Sequence, residues 1–139
     1  LRQDVKQHIL KNIVENWDVI LGINDKGILS SIISKLEIRI IPKNEFICKY
    51  GEIARSMYFI IKGKVHVISD EGINLAILSV GKYFGEMALV EKKNTRQASV
   101  QAVTDISVAI MSIENFHVIC EVYPIFMERV VEVVNKRKE

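Results

Sequence analysis

Cysteine is scarce in this chain: Cys48 and Cys120 are the only two, and they share no CxxC or metal-ligand spacing. Two cysteines in a domain of this size are more often buried free thiols than a staple, which favours a reducing compartment. Blocks of single-sign charge are lacking too. Nineteen basic and seventeen acidic residues are spread along the chain for a net charge of +2, so no polyanion-binding arm stands out and nucleic acid is not the expected partner. No apolar run reaches the roughly 18 to 20 residues that a bilayer span needs, and no charged-then-apolar leader opens the chain. The segment is therefore expected to be soluble. Repeats and low-complexity stretches are missing. His8, His66 and His117 are scattered without ligand spacing, and Ser99 has no histidine and acid in a nucleophile context. Neither a metal centre nor an enzyme is expected.

What is present suits one domain. The chain has 139 residues, 49% of them hydrophobic, enough for one core over 1–139. It begins at Leu1 and ends in the charged, helix-like run Asn135 to Glu139, which reads as a segment cut from a longer protein.

Two periodicities divide it. Val5, Ile9, Ile13 and Trp17 recur at steps of four among polar neighbours, the stripe of an amphipathic helix from Leu1 to Trp17. Asn24-Asp25 can cap a second helix carrying Ile28, Ile32 and Ile33 to about Lys35. From Leu36 the pattern becomes strand-like. Short β-prone runs follow at Phe46 to Lys49, Met57 to Ile61, Lys64 to Ser69, Ile73 to Ser79, Ala98 to Val103 and Ile106 to Met111. Gly51, Gly63, Gly72 and Gly81 punctuate them where a positive φ lets the chain reverse. Helical spacing returns at Ile113, Phe116, Ile119 and Cys120, and after Pro124 a last helix is expected over Ile125 to Lys138. The fold class is α+β: an antiparallel β jelly roll or barrel over 36–112, with helices over 1–35 and 113–139.

The stretch Gly81 to Val90, continuing through Glu91-Lys92-Lys93-Asn94-Thr95 to Arg96-Gln97-Ala98-Ser99-Val100, does not read as a plain loop. A glycine before a short helix-prone run turns backbone N–H groups toward one spot, a natural anion receptor. Arg96 can add a planar, permanently charged fork to a phosphate. Glu86 would repel a phosphate, and its natural work in a shared site is to accept hydrogen bonds from hydroxyls. Together they suggest a ribose phosphate. An ordinary surface ion pair fits a Glu and an Arg ten residues apart as well, and is the commoner arrangement.

The order Phe84-Gly85-Glu86-Met87-Ala88-Leu89 followed by Arg96-Gln97-Ala98-Ser99-Val100 resembles the phosphate-binding cassette of cyclic nucleotide-binding domains. Met57 to Gly63 resembles their strand-turn signature. The resemblance implies that Glu86 takes the ribose 2′-hydroxyl and Arg96 the cyclic phosphate. It implies that the backbone at Gly85, Met87, Ala88 and Ala98 completes the cradle, with Val67 and Leu78 as apolar walls for the base; both also fit ordinary core strands. After the arginine, channel members of the family commonly have threonine and cAMP-preferring kinase members often have alanine. This chain has Gln97, which favours cAMP over cGMP, while its donor and acceptor leave guanine open.

The ends resemble one branch of the family. Leu1-Arg2-Gln3-Asp4-Val5 is similar to the last linker helix of hyperpolarisation-activated and cyclic nucleotide-gated channels, and Asn115 through Pro124 to Arg137 is similar to their B and C helices. Arg137 falls where those channels place an arginine that closes over the base; a solvated helix-end cation is the equal alternative. The resemblance implies a regulatory sensor that gates a cation channel: the domain would lie on the cytoplasmic face of a membrane protein, with its own pore as partner and a homotetramer as the assembly. The regulatory domain of a cyclic nucleotide-dependent protein kinase is the alternative.

Overall fold

The computed structural model describes residues 3–91 and 95–138. Leu1, Arg2, Lys92, Lys93, Asn94 and Glu139 lie outside the described residues, and with them the first two residues of the expected N-terminal helix and the middle of the 84–100 stretch.

Helices α1 (Gln3–Glu15) and α2 (Lys26–Lys35) lead into eight strands: β1 (Glu37–Ile41), β2 (Phe46–Cys48), β3 (Ser56–Lys62), β4 (Val65–Ile68), β5 (Asn74–Leu78), β6 (Tyr83–Phe84), β7 (Ser99–Ala102) and β8 (Ile106–Ser112). A single turn, α3 (Met87–Val90), separates β6 from β7, and α4 (Ile113–Val122) and α5 (Pro124–Lys138) close the chain. The strands form two four-stranded sheets in the orders β1-β8-β3-β6 and β2-β7-β4-β5, and their pairings are antiparallel. This is the expected jelly roll.

Local chemistry accounts for the boundaries. Asp25 caps α2 by accepting from Gly27 N at 2.8 Å, which leaves one fewer orphan donor at the helix start. Ser112 caps α4 in the same way, accepting from Asn115 N at 3.1 Å. Pro124 stands first in α5, where its missing N–H has no intrahelical partner to lose. Gly63, at φ +90°, reverses the chain between β3 and β4; a Cβ there would lie 2.5 Å from the Asp105 carbonyl oxygen. The other glycines expected in turns, Gly51, Gly72 and Gly81, have φ between +84° and +88°.

Two cores result. Between the sheets, Ile60, Val65, Val100, Ala102, Ile106, Val108 and Ile110 pack together. Behind the first sheet, its outer-facing Met57, Phe59, Ala109 and Met111 meet the helices through Leu10, Val14, Ile28, Ile32, Phe116 and Phe126. Trp17 stands at the centre of this second core, edge-on to Phe59 at 5.1 Å, Phe126 at 5.7 Å and Tyr83 at 6.1 Å between ring centroids.

The N-terminal helix differs from its expected form. It ends at Glu15, and Trp17 lies in the following turn, where its N–H donates to Val14 O at 3.1 Å. The buried face is Leu10 and Val14, whereas Val5 is 37% exposed. The step of four overlooked Leu10 and Val14, which lie on an adjoining apolar stripe facing α2 and the sheet.

Arg129 fastens α5 to that turn. Its guanidinium donates to Asp18 O at 2.9 Å, Leu21 O at 3.1 Å and Val19 O at 3.2 Å, and pairs with Glu132 at 2.8 Å. Carbonyls after a helix end that face the protein need such donors. Charge-assisted bonds contribute about 1.5–3 kcal/mol each in favourable settings, discounted here by part exposure. Arg129→Ala is expected to lower stability by about 1.5–3 kcal/mol. Urea unfolding followed by fluorescence of Trp17, the single tryptophan, checks this; an unchanged midpoint would rule out the clamp.

Candidate functional site

The site grows from the pairing of β6 with β3, which sets Phe84 against Tyr58 and Tyr83 against Phe59. Immediately after β6 the chain turns at Gly85, with φ +83°. A Cβ at this glycine would stand 2.7 Å from Arg96 Nη1 and 3.1 Å from Ser56 O. Glycine is therefore required twice, for the backbone angle and for the space that Arg96 occupies.

Arg96 is only 9% exposed, and it is the sole charged or polar residue among the buried described residues. Its Nη2 donates to Ser56 O at 2.8 Å, and the guanidinium lies 5.6 Å from the centroid of the Tyr58 ring. The backbone is pinned as well: Arg96 N donates to Glu52 O at 2.7 Å and Gly51 N donates to Arg96 O at 2.9 Å. Among the described residues no carboxylate pairs with this guanidinium. A buried cation compensated only by neutral groups retains a strong preference for an anion.

A concave pocket of about 430 Å³ opens beside it. Gly85, Met87, Arg96, Gln97, Ala98 and Val67, all expected at a site, line it together. Phe84, Glu91, Thr95 and Val100 of the same 81–100 stretch also line it, though none was expected to have a role of its own, and so does Cys48, which lies outside that stretch. Cys48 reaches the pocket because β2 pairs with β7, a long-range relation that no local pattern reveals. Burial pushes its thiol above the ordinary range despite nearby Arg96, so it stays protonated at neutral pH. Cys48 and Cys120 are both free thiols.

Four expected residues lie elsewhere. Ala88 is fully buried in α3 and its N–H donates to Gly85 O at 3.1 Å. Glu86 and Met87, which open the turn, precede its first helical bond. Leu78 packs on the inter-sheet core and borders a neighbouring groove with Asp18, Tyr83 and Arg137. The Glu86 side chain, 14% exposed, places Oε1 3.2 Å from Arg137 Nη1, away from the pocket lining. Arg137 thus meets the acid of the cassette. Gln97 is exposed, and its amide donates to Thr95 O at 3.1 Å.

The arrangement sets one buried guanidinium beside an apolar wall, and residues 38–123, which contain all of it except Arg137, match the family model described as the cyclic nucleotide-binding domain. The chain belongs to that family. Similar proteins include the alpha subunit of the cone photoreceptor cyclic nucleotide-gated channel of Gallus gallus, 29% identical over 70% of this chain and 16% of its own length. A cyclic nucleotide-gated potassium channel of Rhizobium etli is 28% identical over 92% of this chain and 37% of its own length. This cyclic nucleotide-binding domain thus spans well under half of either relative. Among solved structures, the catabolite activator protein of Thermus thermophilus superposes with a TM-score of 0.74 at 23% identity, over 86% of this chain and 57% of that one. That likeness is one of fold.

In this cyclic nucleotide-binding domain, Gly85→Ala is expected to cost about 1–3 kcal/mol of stability through the left-handed backbone angle and the displaced guanidinium. Thermal and urea unfolding measure the loss, and a fully stable variant would show that Arg96 has other room.

Proposed function

We propose that this domain binds a cyclic nucleotide, cAMP in preference to cGMP, as a regulatory sensor that gates a cation channel. The observation that carries the reading is Arg96: a buried guanidinium without a carboxylate partner among the described residues, aimed at a pocket with an apolar wall. A cyclic phosphate would supply the missing charge, held further by backbone at Gly85, Met87 and Ala98, with Ala88 behind them. Glu86 would accept the ribose 2′-hydroxyl, which requires its carboxylate to face the ligand. Val67 would flank the base from the pocket wall, and Leu78 from the adjoining strand.

Base choice rests on Gln97. Its amide nitrogen is engaged with Thr95, which leaves fewer donors for a guanine carbonyl and favours adenine. The function we read is binding: the pocket lining offers a guanidinium for an anion and an apolar wall. Among the described residues no helix is long and apolar enough to cross a membrane. We read the domain as a cytoplasmic appendage of its own pore, in a homotetramer. The similar channels support this over a protein-kinase context.

Ligand can shift the pore only by the difference in its affinity for two conformations, typically about 1–3 kcal/mol. Calorimetric titration is expected to show saturable binding of cAMP and weaker binding of cGMP. Tighter cGMP would reverse the assigned preference. Arg96→Ala should weaken binding by about 2–5 kcal/mol, because a buried phosphate charge would lose its partner; an unchanged affinity would remove Arg96 from the site.

A further inference from the structure

Strands β1, β6, β2 and β5 end the two sheets, and the first three are defended as open edges usually are. Strand β1 carries Glu37 and Arg39, β6 has two residues, and β2 has three with a break in its register against β7. Charge, shortness and bulges keep the free N–H and C=O groups of an edge from recruiting another strand. Strand β5 reads Asn74-Leu75-Ala76-Ile77-Leu78, with neither a charge nor a proline. Its register against β4 steps from Val67 and Ala76 to Ile68 and Asn74, so Leu75 is an extra residue, while Ala76, Ile77 and Leu78 pair regularly with Val67, His66 and Val65. The bulge thus interrupts one half of the edge and leaves the other straight. Along it Ile73, Leu75, Ile77 and Val80 are each 58–61% exposed.

The β4–β5 hairpin is also polar from end to end. Its turn holds Asp70 and Glu71, and its open end holds Lys62, Lys64 and Lys82, all five exposed. Among the described residues none of these charges is in an ion pair. A second copy laid parallel along β5 would set acid on acid and base on base. An antiparallel copy sets the acidic turn of each hairpin against the basic end of the other. The two-fold axis that does so passes near Ala76, which is as far in sequence from Asp70 as from Lys82. We propose that β5 is a self-association edge, pairing antiparallel with β5 of a second copy of this chain so that their two sheets become continuous.

The contact uses one patch on both copies, so it closes at two and does not grow into a chain. Pairing satisfies the open backbone groups of β5 and brings Leu75 and Ile77 of each copy beside those of the other, out of water. The joined sheet then ends at β2 on both sides, the short and irregular edge. One strand and its flanking charges make a small interface, so the dimer is weak and appears only as protein concentration rises. The ion pairs at its two ends are exposed, and each sets orientation more than strength. Neither Arg96 nor Glu86 takes part, so the inference does not rest on nucleotide binding.

The test is sedimentation equilibrium of this chain without nucleotide, from micromolar to millimolar protein, for the wild type, Ile77→Lys, Asp70→Lys, Lys82→Glu and the Asp70→Lys/Lys82→Glu pair. The wild type should pass from monomer to dimer and stop there. Ile77→Lys sets two lysines close to the axis and should weaken the dimer by about tenfold or more. Asp70→Lys and Lys82→Glu should each weaken it by about two- to five-fold, and together in one chain they should restore it, because acid again meets base. Urea midpoints followed by Trp17 fluorescence should stay unchanged in all four variants, whose altered side chains are exposed in the monomer. Amide exchange over 74–78 should slow as wild-type concentration rises, with none of that slowing over α5. A wild type that stays monomeric throughout overturns the inference, as does a dimer that Ile77→Lys leaves intact or one whose protection falls outside 74–78. Open-ended growth overturns the two-fold contact, and a paired variant no better than its singles overturns the antiparallel orientation.

Discussion

A guanidinium withdrawn from water loses several kcal/mol of solvation unless the protein replaces it. At Arg96 the replacement comes from β3, through the carbonyl of Ser56 and the face of Tyr58, and from a position on β6's exit where no side chain intrudes. None of these groups is near Arg96 in sequence. Sheet pairing has to bring Ser56 and Gly85 to the same place before the charge can be housed, so the site depends on the first sheet being in register. The compensation is also incomplete by its nature, because a carbonyl dipole and an aromatic face do not cancel a full positive charge. That residual field is what an anionic ligand would find.

Much of this frame can be read without coordinates, and the exceptions have physical causes. The long strands announce themselves by alternation and by glycines that require positive φ. Strand β6 does not, because two residues make no period; Tyr83 and Phe84 become a strand only by pairing with β3. The cassette could be recognised from Phe84 to Val100 as a linear string, with Val67 as a wall, but Cys48 could not, since it arrives through the pairing of β2 with β7. In α1 the step of four chose Val5 and Ile9, whereas tertiary packing chose Leu10 and Val14. Periodicity tells which residues share a face, and only the neighbour tells which face is covered. Arg137 shows the same limit: its place on a helix was legible, while its contact with Glu86 depends on how α5 lies across the molecule.

The helical layer and the sandwich are joined mainly through one sheet that is buried on both sides. Met57 and Phe59 face the helices while Tyr58 and Ile60 of the same strand face the other sheet. Trp17, Phe126 and Tyr83 bring α1's turn, α5 and β6 to one aromatic junction, and the Arg129 clamp lies on the same turn. Rigid packing and polar ties thus follow different routes between the ends of the chain. The polar ties of Arg137 reach the cassette at Glu86.

Strand β8 occupies the middle of the first sheet, with Ile110 facing Glu37 on one side and Tyr58 on the other. Both neighbours are made before it during synthesis, and neither has its main hydrogen-bonding partner until Ile106–Ser112 has followed. Until then β1 and β3 carry open edges and exposed isoleucines, a state prone to wrong pairing. Such distant pairings also make for slow closure. The nascent domain therefore has a period of vulnerability set by topology alone, and its assembly is governed by the arrival of one late strand.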